Sequence, residues 1–326
     1  MLPVINSTFS PDHLGLFVKQ QYNLGPDTVC TLLKTGINDS FLIKDGAGKY
    51  VYRIYSLNWR TKPEIMEEIR LLNLLHTNHI PVSYPLQDIH GEYIEELKAP
   101  EGMRFGVLFT FAKGEKLLNF AAALHHQTGG IMAKMHQLTN GIKLGRVSYS
   151  PAVILKDSFE QLKKFLPGGT PEMDFMVSTQ KYLVDEFDKF DVGHLRKGAV
   201  HMDIWFDNIS IDKEAGITLF DFDFCGNGWL CYDVAYYILQ LNSTEKDDAE
   251  CKLKTEAFLN GYESVAELTA EEKRIIPHLG VALYFFYLGI QCQRFDNWSN
   301  TFLNETYLKR FINLLVKRYF EKNGLG

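Results

Sequence analysis

The chain has 326 residues, 46% of them hydrophobic and 23% charged, and its formal net charge at pH 7 is −6. A chain of this length usually exceeds what a single hydrophobic core can organise, so two domains are expected. The acidic balance argues against a nucleic-acid-binding protein, which would carry a basic stripe.

Strand-like patterns dominate the first third of the chain. Two aromatic and β-branched runs, 41–43 and 50–55, are joined by a turn that contains two glycines and predict a β-hairpin. Residues 61–64 read Thr-Lys-Pro-Glu, a capping box with an early proline, and predict a helix that continues to about residue 75. A further strand is predicted at 104–111.

Helical periodicity dominates the remainder. The exception is a short hairpin, 208–211 and 218–222, which carries a carboxylate at both ends. The predicted helices are 118–138, 152–166, 172–190, 232–241, 247–262, 270–295 and 305–322.

Nothing in the sequence predicts export or a membrane partner. Residues 1–16 include Asn6 and Asp12 where a signal peptide would need an apolar run. The longest apolar run, 275–290, contains Pro277 and is shorter than the ~20 residues of a membrane span, so it predicts a buried helix. The five cysteines are scattered and form no CxxC pair, which predicts neither a disulfide framework nor a zinc site and favours the cytoplasm.

Catalytic chemistry concentrates in residues 201–208, which read HMDIWFDN and match the pattern HxDxxxxN. Phosphoryl transfer needs a carboxylate that holds the attacking hydroxyl group and accepts its proton, and Asp203 is predicted to be that base. It also needs oxygen ligands for Mg²⁺. Asn208 and Asp221, which lie at the two ends of the predicted hairpin, are the predicted metal ligands.

These motifs resemble those of the aminoglycoside phosphotransferase and choline kinase superfamily, which shares the protein-kinase fold. The resemblance rests on residues 201–208, on Asp-Phe-Asp at 221–223 and on Asp-Val-Ala at 233–235. It implies an α+β, bilobal fold with a small N-terminal lobe of antiparallel sheet and one helix and a larger helical C-terminal lobe. The nucleotide-binding lobe would be 1–112, the hinge would lie near 108–114, and the catalytic and acceptor-binding lobe would be 113–326.

The resemblance also implies cofactors and supporting residues. Mg²⁺ is the expected metal, with ATP or GTP as co-substrate. His201 and Asp233 are expected to support the catalytic loop, although a simple helix N-cap explains Asp233 equally well. The homoserine-kinase-like and stress-response-kinase branches look most similar.

Nucleotide-binding residues are expected in the first third. Asn38 and Ser40 lie in a loop that resembles the family's phosphate loop, for which a plain turn is the alternative, and Arg53 occupies the position of the phosphate-binding lysine of protein kinases. At ~100° per residue, Glu68 lies beside the apolar face of the predicted helix, whereas Glu67 points to solvent, so Glu68 is the predicted partner of Arg53. The hinge backbone at Thr110 and Ala112 is expected to contact adenine.

The acceptor is predicted to be a hydroxyl group of a small molecule, such as an amino acid or an amino sugar. Only eleven residues separate Asp221 from Asp233, too few for the long activation segment of protein kinases. A protein Ser/Thr kinase of the stress-response type and a nucleotide-binding pseudokinase remain the alternatives. Candidate acceptor-binding residues are Trp205, Trp229, Tyr287, Arg294 and Trp298.

Overall fold

The computed structural model describes residues 2–214, 216–295 and 302–326. The chain divides into two compact units. The first consists of Met1–Lys113 with Arg294–Asn300, and the second of Gly114–Gln293 with Thr301–Gly326.

A six-stranded antiparallel sheet forms the centre of the first unit. Its order is β1-β2-β3-β6-β4, and β5 also pairs with β6. The predicted hairpin is β2–β3, and the Asp45 carboxylate closes its turn by accepting from the N–H groups of Ala47 and Gly48. The strands are β1 Val29–Lys34, β2 Asp39–Asp45, β3 Gly48–Ile54, β4 Pro85–Leu86, β5 Glu95–Ala99 and β6 Gly102–Thr110.

Two helices pack in this unit, α1 (Pro11–Gln21) and α2 (Lys62–Thr77). Only α2 was predicted from the sequence, and its capping box is present between Thr61 and Glu64. The additional helix, α1, buries Leu14 and Val18 in the core of the sheet.

The second unit is mainly helical. It contains α3 Ala122–Thr139, α4 Ser158–Leu162, α5 Pro171–Phe187, α6 Cys231–Thr244, α7 Asp248–Glu263, α8 Ala270–Gln293, α9 Glu305–Phe311 and α10 Arg318–Lys322. The π-helical segments Ala152–Asp157 and Ile312–Lys317 precede α4 and α10. Glycine allows α3 and α7 to pack closely, because a Cβ atom at Gly261 would lie 1.9 Å from the carbonyl oxygen of His126.

Two short antiparallel ladders present the catalytic motif. Strands β8 (Ile209–Asp212) and β9 (Gly216–Leu219) form the predicted hairpin. Strands β7 (Lys197–Val200) and β10 (Gly226–Trp229) pair beside it and were not predicted. Asn208 therefore lies immediately before β8, and Asp221 lies two residues beyond the end of β9.

Helix α8 contains the longest apolar run. Among the described residues it is the one helix long and apolar enough to cross a membrane, and 78% of its apolar window is buried within the protein. That burial is typical of a helix in the core of a domain.

Candidate active site

Asp233 holds the backbone of the catalytic loop. Its carboxylate accepts hydrogen bonds from the backbone N–H groups of His201, at 2.9 Å, and Met202, at 2.7 Å. Met202 needs this support because its φ is +68°, in the left-handed region that disfavours a side chain. Asp233 is completely buried, and His136 on α3 contributes a third hydrogen bond to it, at 3.1 Å.

Two donors hold the carboxylate of Asp203, one on each oxygen. The hydroxyl group of Tyr236 donates to Oδ1 at 2.5 Å, and the Nδ2 amide of Asn208 donates to Oδ2 at 2.6 Å. Burial raises the pKa of Asp203 to about 8; the two hydrogen bonds oppose this shift, and the charges of Asp221 and Asp207 add to it. Asp221 is therefore close enough to repel the charged form of Asp203.

The imidazole ring of His201 connects the backbone at Asp203 to the backbone at Phe220. The backbone N–H of Asp203 donates to its Nδ1 at 3.1 Å, so Nε2 carries the proton and donates to the carbonyl oxygen of Phe220 at 3.2 Å. Burial lowers the pKa of His201, although the charges of Asp233 and Asp221 oppose the shift. His201 thus couples the loop that carries Asp203 to the residue that precedes Asp221.

In the first unit, the structure brings Arg53 and Glu68 together. Arg53 Nη1 lies 2.8 Å from Glu68 Oε1, and the hydroxyl group of Tyr55 donates to Glu68 Oε2 at 3.0 Å. The Glu68 side chain is fully buried. The neighbouring Glu67 instead contacts Arg70 on the surface.

The predicted phosphate-loop residues lie beside this pair in the sheet. Ser40 is the direct cross-strand partner of Arg53, so the two side chains share one face of the sheet. The side-chain oxygen of Asn38 accepts from the backbone N–H of Ser56 at 3.2 Å, which ties the loop to the segment after β3.

The predicted hinge residues differ in their backbone contacts. Thr110 donates its N–H to the carbonyl oxygen of Tyr84 at 2.9 Å and accepts at its own carbonyl from the hydroxyl group of Ser83 at 2.6 Å. A carbonyl oxygen has two lone pairs, so the adenine contact expected at Thr110 stays a prediction. Ala112 follows the end of β6 and is partly buried.

The predicted acceptor residues differ in what they contact. Burial raises the pKa of Tyr287, and the charge of Asp203 adds to that shift. Trp205 lies within the catalytic loop and packs against Phe206. Trp229 stacks on Tyr232 at 5.3 Å, and none of its described contacts is with the catalytic loop.

For Arg294 the structure shows a ring contact, and its role in acceptor binding stays a prediction. It falls within the first unit, where its guanidinium group lies 4.9 Å from the centre of the Trp59 ring. Trp298 lies outside the described residues. Sequence position placed Tyr287, Arg294 and Trp298 near the end of α8, but it does not encode the direction in which each side chain points.

A family model described as "Phosphotransferase enzyme family" matches residues 29–268, which include the strands of the first unit and the whole catalytic motif. The chain belongs to this phosphotransferase family. Membership confirms the prediction, made from HxDxxxxN and the metal-binding carboxylate, that the protein is an enzyme that transfers phosphoryl groups to an alcohol.

Curated relatives of this phosphotransferase cover most of the chain. An uncharacterized protein from Synechocystis sp. is 28% identical over 315 residues, which are 94% of this chain and 85% of that protein. A homoserine kinase from Sinorhizobium medicae is 27% identical over 275 residues, which are 81% of this chain and 79% of that enzyme.

Solved structures resemble the phosphotransferase over nearly its full length. The amicoumacin kinase hAmiN, in complex with AMP-PNP, Ca²⁺ and Ami, has a TM-score of 0.77 at 20% identity and covers 95% of this chain, with 94% of its own chain matched. A microcompartment-associated aminopropanol kinase has a TM-score of 0.78 at 20% identity, over 97% of this chain and 99% of its own. At this identity the likeness establishes the fold, and the predicted α+β kinase-like class is confirmed.

Two residues that contact the motif of the phosphotransferase were not predicted. Tyr236 lies three residues after Asp233 on α6, a spacing that places both on one helix face. That spacing was a usable signal for Tyr236. His136 reaches Asp233 from α3, 97 residues away in the chain, and only the tertiary fold reveals its role.

Proposed function

We propose that the chain is a Mg²⁺-dependent kinase that transfers the γ-phosphoryl group of ATP to a hydroxyl group of a small amino-containing molecule. The observation that carries the proposal is the arrangement around Asp203, whose carboxylate is held by two donors while the charge of Asp221 acts on it. A protein that only binds nucleotide does not need a carboxylate fixed in this way.

Asp203 is the proposed general base and would act in its ionised form. Burial and the charge of Asp221 disfavour that form, and a divalent cation bound nearby would favour it. Asp203 would orient the acceptor hydroxyl and take its proton while the hydroxyl oxygen bonds to the γ-phosphorus and the bond to the β–γ bridging oxygen breaks. A carboxylate has about four lone-pair sites. Because Tyr236 and Asn208 occupy one site on each oxygen, Asp203 retains capacity to accept from the substrate.

The residues present fit a divalent cation that is shared with the nucleotide. Asn208 directs its amide nitrogen to Asp203, which leaves its amide oxygen as a ligand, and Asp221 supplies a carboxylate. Among the described residues, no group of three or more His, Cys, Asp or Glu side chains could hold a metal alone. Mg²⁺ commonly takes one or two carboxylates and completes its shell with phosphate oxygens and water. When bound, it would neutralise charge on the phosphates.

The first unit is the proposed nucleotide-binding lobe and the second the catalytic lobe. Arg53, oriented by Glu68, is the proposed phosphate ligand, with Ser40 beside it and Asn38 in the preceding loop. Ala112 is the proposed hinge contact. ATP is proposed over GTP, since the similar amicoumacin kinase was solved with an ATP analogue.

We propose that the acceptor is bound by the aromatic residues around Tyr287, which would favour a compact substrate with one ammonium group. The Tyr287 ring stacks on Phe311 at 6.3 Å, and the hydroxyl group of Tyr307 donates to Gln291 at 3.1 Å. Aromatic faces attract single ammonium groups, whereas an aminoglycoside presents several. Homoserine and aminopropanol, after which two similar kinases are named, each carry one amino group and one hydroxyl group.

A transfer assay with labelled nucleotide tests the proposal. Purified protein is incubated with [γ-³²P]ATP or [γ-³²P]GTP, Mg²⁺, and one acceptor: L-homoserine, 1-amino-2-propanol, choline, kanamycin or a Ser/Thr-rich protein. We expect transfer from ATP to at least one of the first three acceptors. EDTA should abolish the transfer, and added Mg²⁺ should restore it.

Three outcomes contradict the proposal. Labelling of the protein acceptor alone would indicate a protein kinase. Preferred transfer to kanamycin would refute the argument from the aromatic acceptor side. Nucleotide binding without transfer to any acceptor would indicate a pseudokinase.

We also propose a cytoplasmic location. All five cysteines are buried as thiols. Thiols are usual in a reducing compartment, whereas secreted proteins tend to oxidise their cysteines to disulfides.

A further inference from the structure

Tyr236 makes the shortest described contact to Asp203. Its hydroxyl group donates to Oδ1 at 2.5 Å, and the residue is only 2% exposed. Because the residue is buried and its hydroxyl group already donates to Asp203, Tyr236 is poorly placed to bind substrate itself. We infer that Tyr236 is a positioning residue that fixes the orientation of the Asp203 carboxylate for transfer.

Two donors fix a carboxylate more firmly than one. Asn208 alone, on Oδ2, would leave the group free to rotate about its Cβ–Cγ bond. The second donor on Oδ1 opposes that rotation, so Tyr236 and Asn208 together define the plane of the carboxylate. General-base catalysis depends on this direction, since a small misplacement of a reacting group can cost about 100-fold in rate.

Helix α6 provides the rigid support for this contact. Asp233 on the same helix accepts from the backbone N–H groups of His201 and Met202. Tyr236 follows three residues later on the same face. One helix face therefore holds both the backbone of the catalytic loop and the carboxylate that the loop presents.

The neighbouring residue Tyr237 supplies a matched control. It is buried on the same helix, and its hydroxyl group contacts Nδ1 of His125 at 2.8 Å rather than the catalytic loop. Tyr237→Phe and Tyr236→Phe each remove one buried hydroxyl group. A difference between them therefore reports the contact to Asp203 and not the general loss of a hydrogen bond.

This inference rests on the proposed function, and steady-state kinetics test it first. Wild type and both variants are assayed with MgATP and L-homoserine, 1-amino-2-propanol or choline, and urea unfolding is measured in parallel. We expect Tyr236→Phe to lower kcat about 10- to 100-fold, with little change in the KM for ATP. Tyr237→Phe should retain the wild-type kcat, although its urea unfolding midpoint should be similar to that of Tyr236→Phe. Equal kcat losses in both variants, or a Tyr236→Phe defect confined to the KM for ATP, would overturn the inference.

Crystal structures of wild type and Tyr236→Phe give a readout that does not depend on the acceptor. We expect the Asp203 carboxylate to rotate or to occupy several orientations in the variant while the loop backbone stays in place. An unchanged, well-ordered carboxylate would overturn the inference. If wild type transfers phosphate to none of the acceptors, the proposed function fails, and the crystallographic comparison still decides the role of Tyr236.

Discussion

Replacing Glu68 with a glutamine removes a buried charge from the first unit without changing its shape. The carboxylate lies 2.8 Å from Arg53, and the two side chains are 0% and 9% exposed. Removing one partner of a buried ion pair costs about 3–5 kcal/mol. The guanidinium keeps its stacking on Phe109 at 4.8 Å, and the new amide still accepts from Tyr55. We therefore expect a loss near the lower limit, about 3 kcal/mol.

Urea denaturation, followed by circular dichroism, measures this loss. Hydrogen–deuterium exchange of peptides from α2 and β3 reports whether it arises in the first unit. Glu67→Gln is the matched control, because Glu67 pairs with the surface residue Arg70 and exposed pairs contribute about 0–1 kcal/mol. Equal unfolding midpoints for Glu68→Gln and Glu67→Gln would refute the reasoning from burial.

A double variant separates stability from nucleotide binding. Arg53→Met combined with Glu68→Gln removes both charges, and replacing a buried pair by neutral groups of similar volume is often close to neutral. The amide introduced at position 68 would still accept from Tyr55, so stability should largely return. The affinity for MgATP should not return, because the guanidinium is gone. Recovery of affinity would show that Arg53 is not a phosphate ligand.

The remaining predictions concern the second unit. Asp203→Asn should lower kcat about 10²–10⁴-fold with little change in the KM for ATP, and a rise in that KM would make Asp203 a nucleotide or metal ligand. Asp221→Asn should weaken MgADP binding in titration calorimetry as well as turnover, because it removes charge from the metal site; unchanged MgADP affinity would take Asp221 out of that site. His136→Phe removes a donor to buried Asp233 and should cost about 1–3 kcal/mol of unfolding free energy, whereas an unchanged urea midpoint would make His136 dispensable.

The long helices could be predicted because their apolar periodicity is local. The predicted helix 270–295 corresponds to α8, Ala270–Gln293, and the predicted helix 247–262 to α7, Asp248–Glu263. Several strands were not predicted, among them β1, β5, β7 and β10. Strands β7 and β10 pair with each other across the catalytic motif, which joins Val200 to Gly226 and Lys197 to Trp229, and such non-local pairing leaves no signal in either segment alone.

The site could be predicted where the chemistry is local in sequence. The order His201, Asp203, Asn208 identifies the catalytic loop, and helical geometry was enough to select Glu68 as the residue that meets Arg53. Side-chain direction between distant elements is not local. This is why the contact from α3 to the buried aspartate of α6 was missed. It is also why the sequence did not reveal the ring contacts of two predicted acceptor residues, which are Trp229 with Tyr232 and Arg294 with Trp59.

Two residues at the site have left-handed backbone conformations, and this explains why the site needs both the buried Asp233 and His201. Met202 and Asp221 have φ values of +68° and +63°, and such residues cost about 1–3 kcal/mol each. Asp233 accepts two backbone hydrogen bonds at the first position, and hydrogen bonds to a charged group contribute about 1.5–3 kcal/mol each. The ring of His201 donates a hydrogen bond to the carbonyl oxygen of Phe220. The catalytic loop that contains Asp203 therefore also stabilises the strained backbone at Asp221.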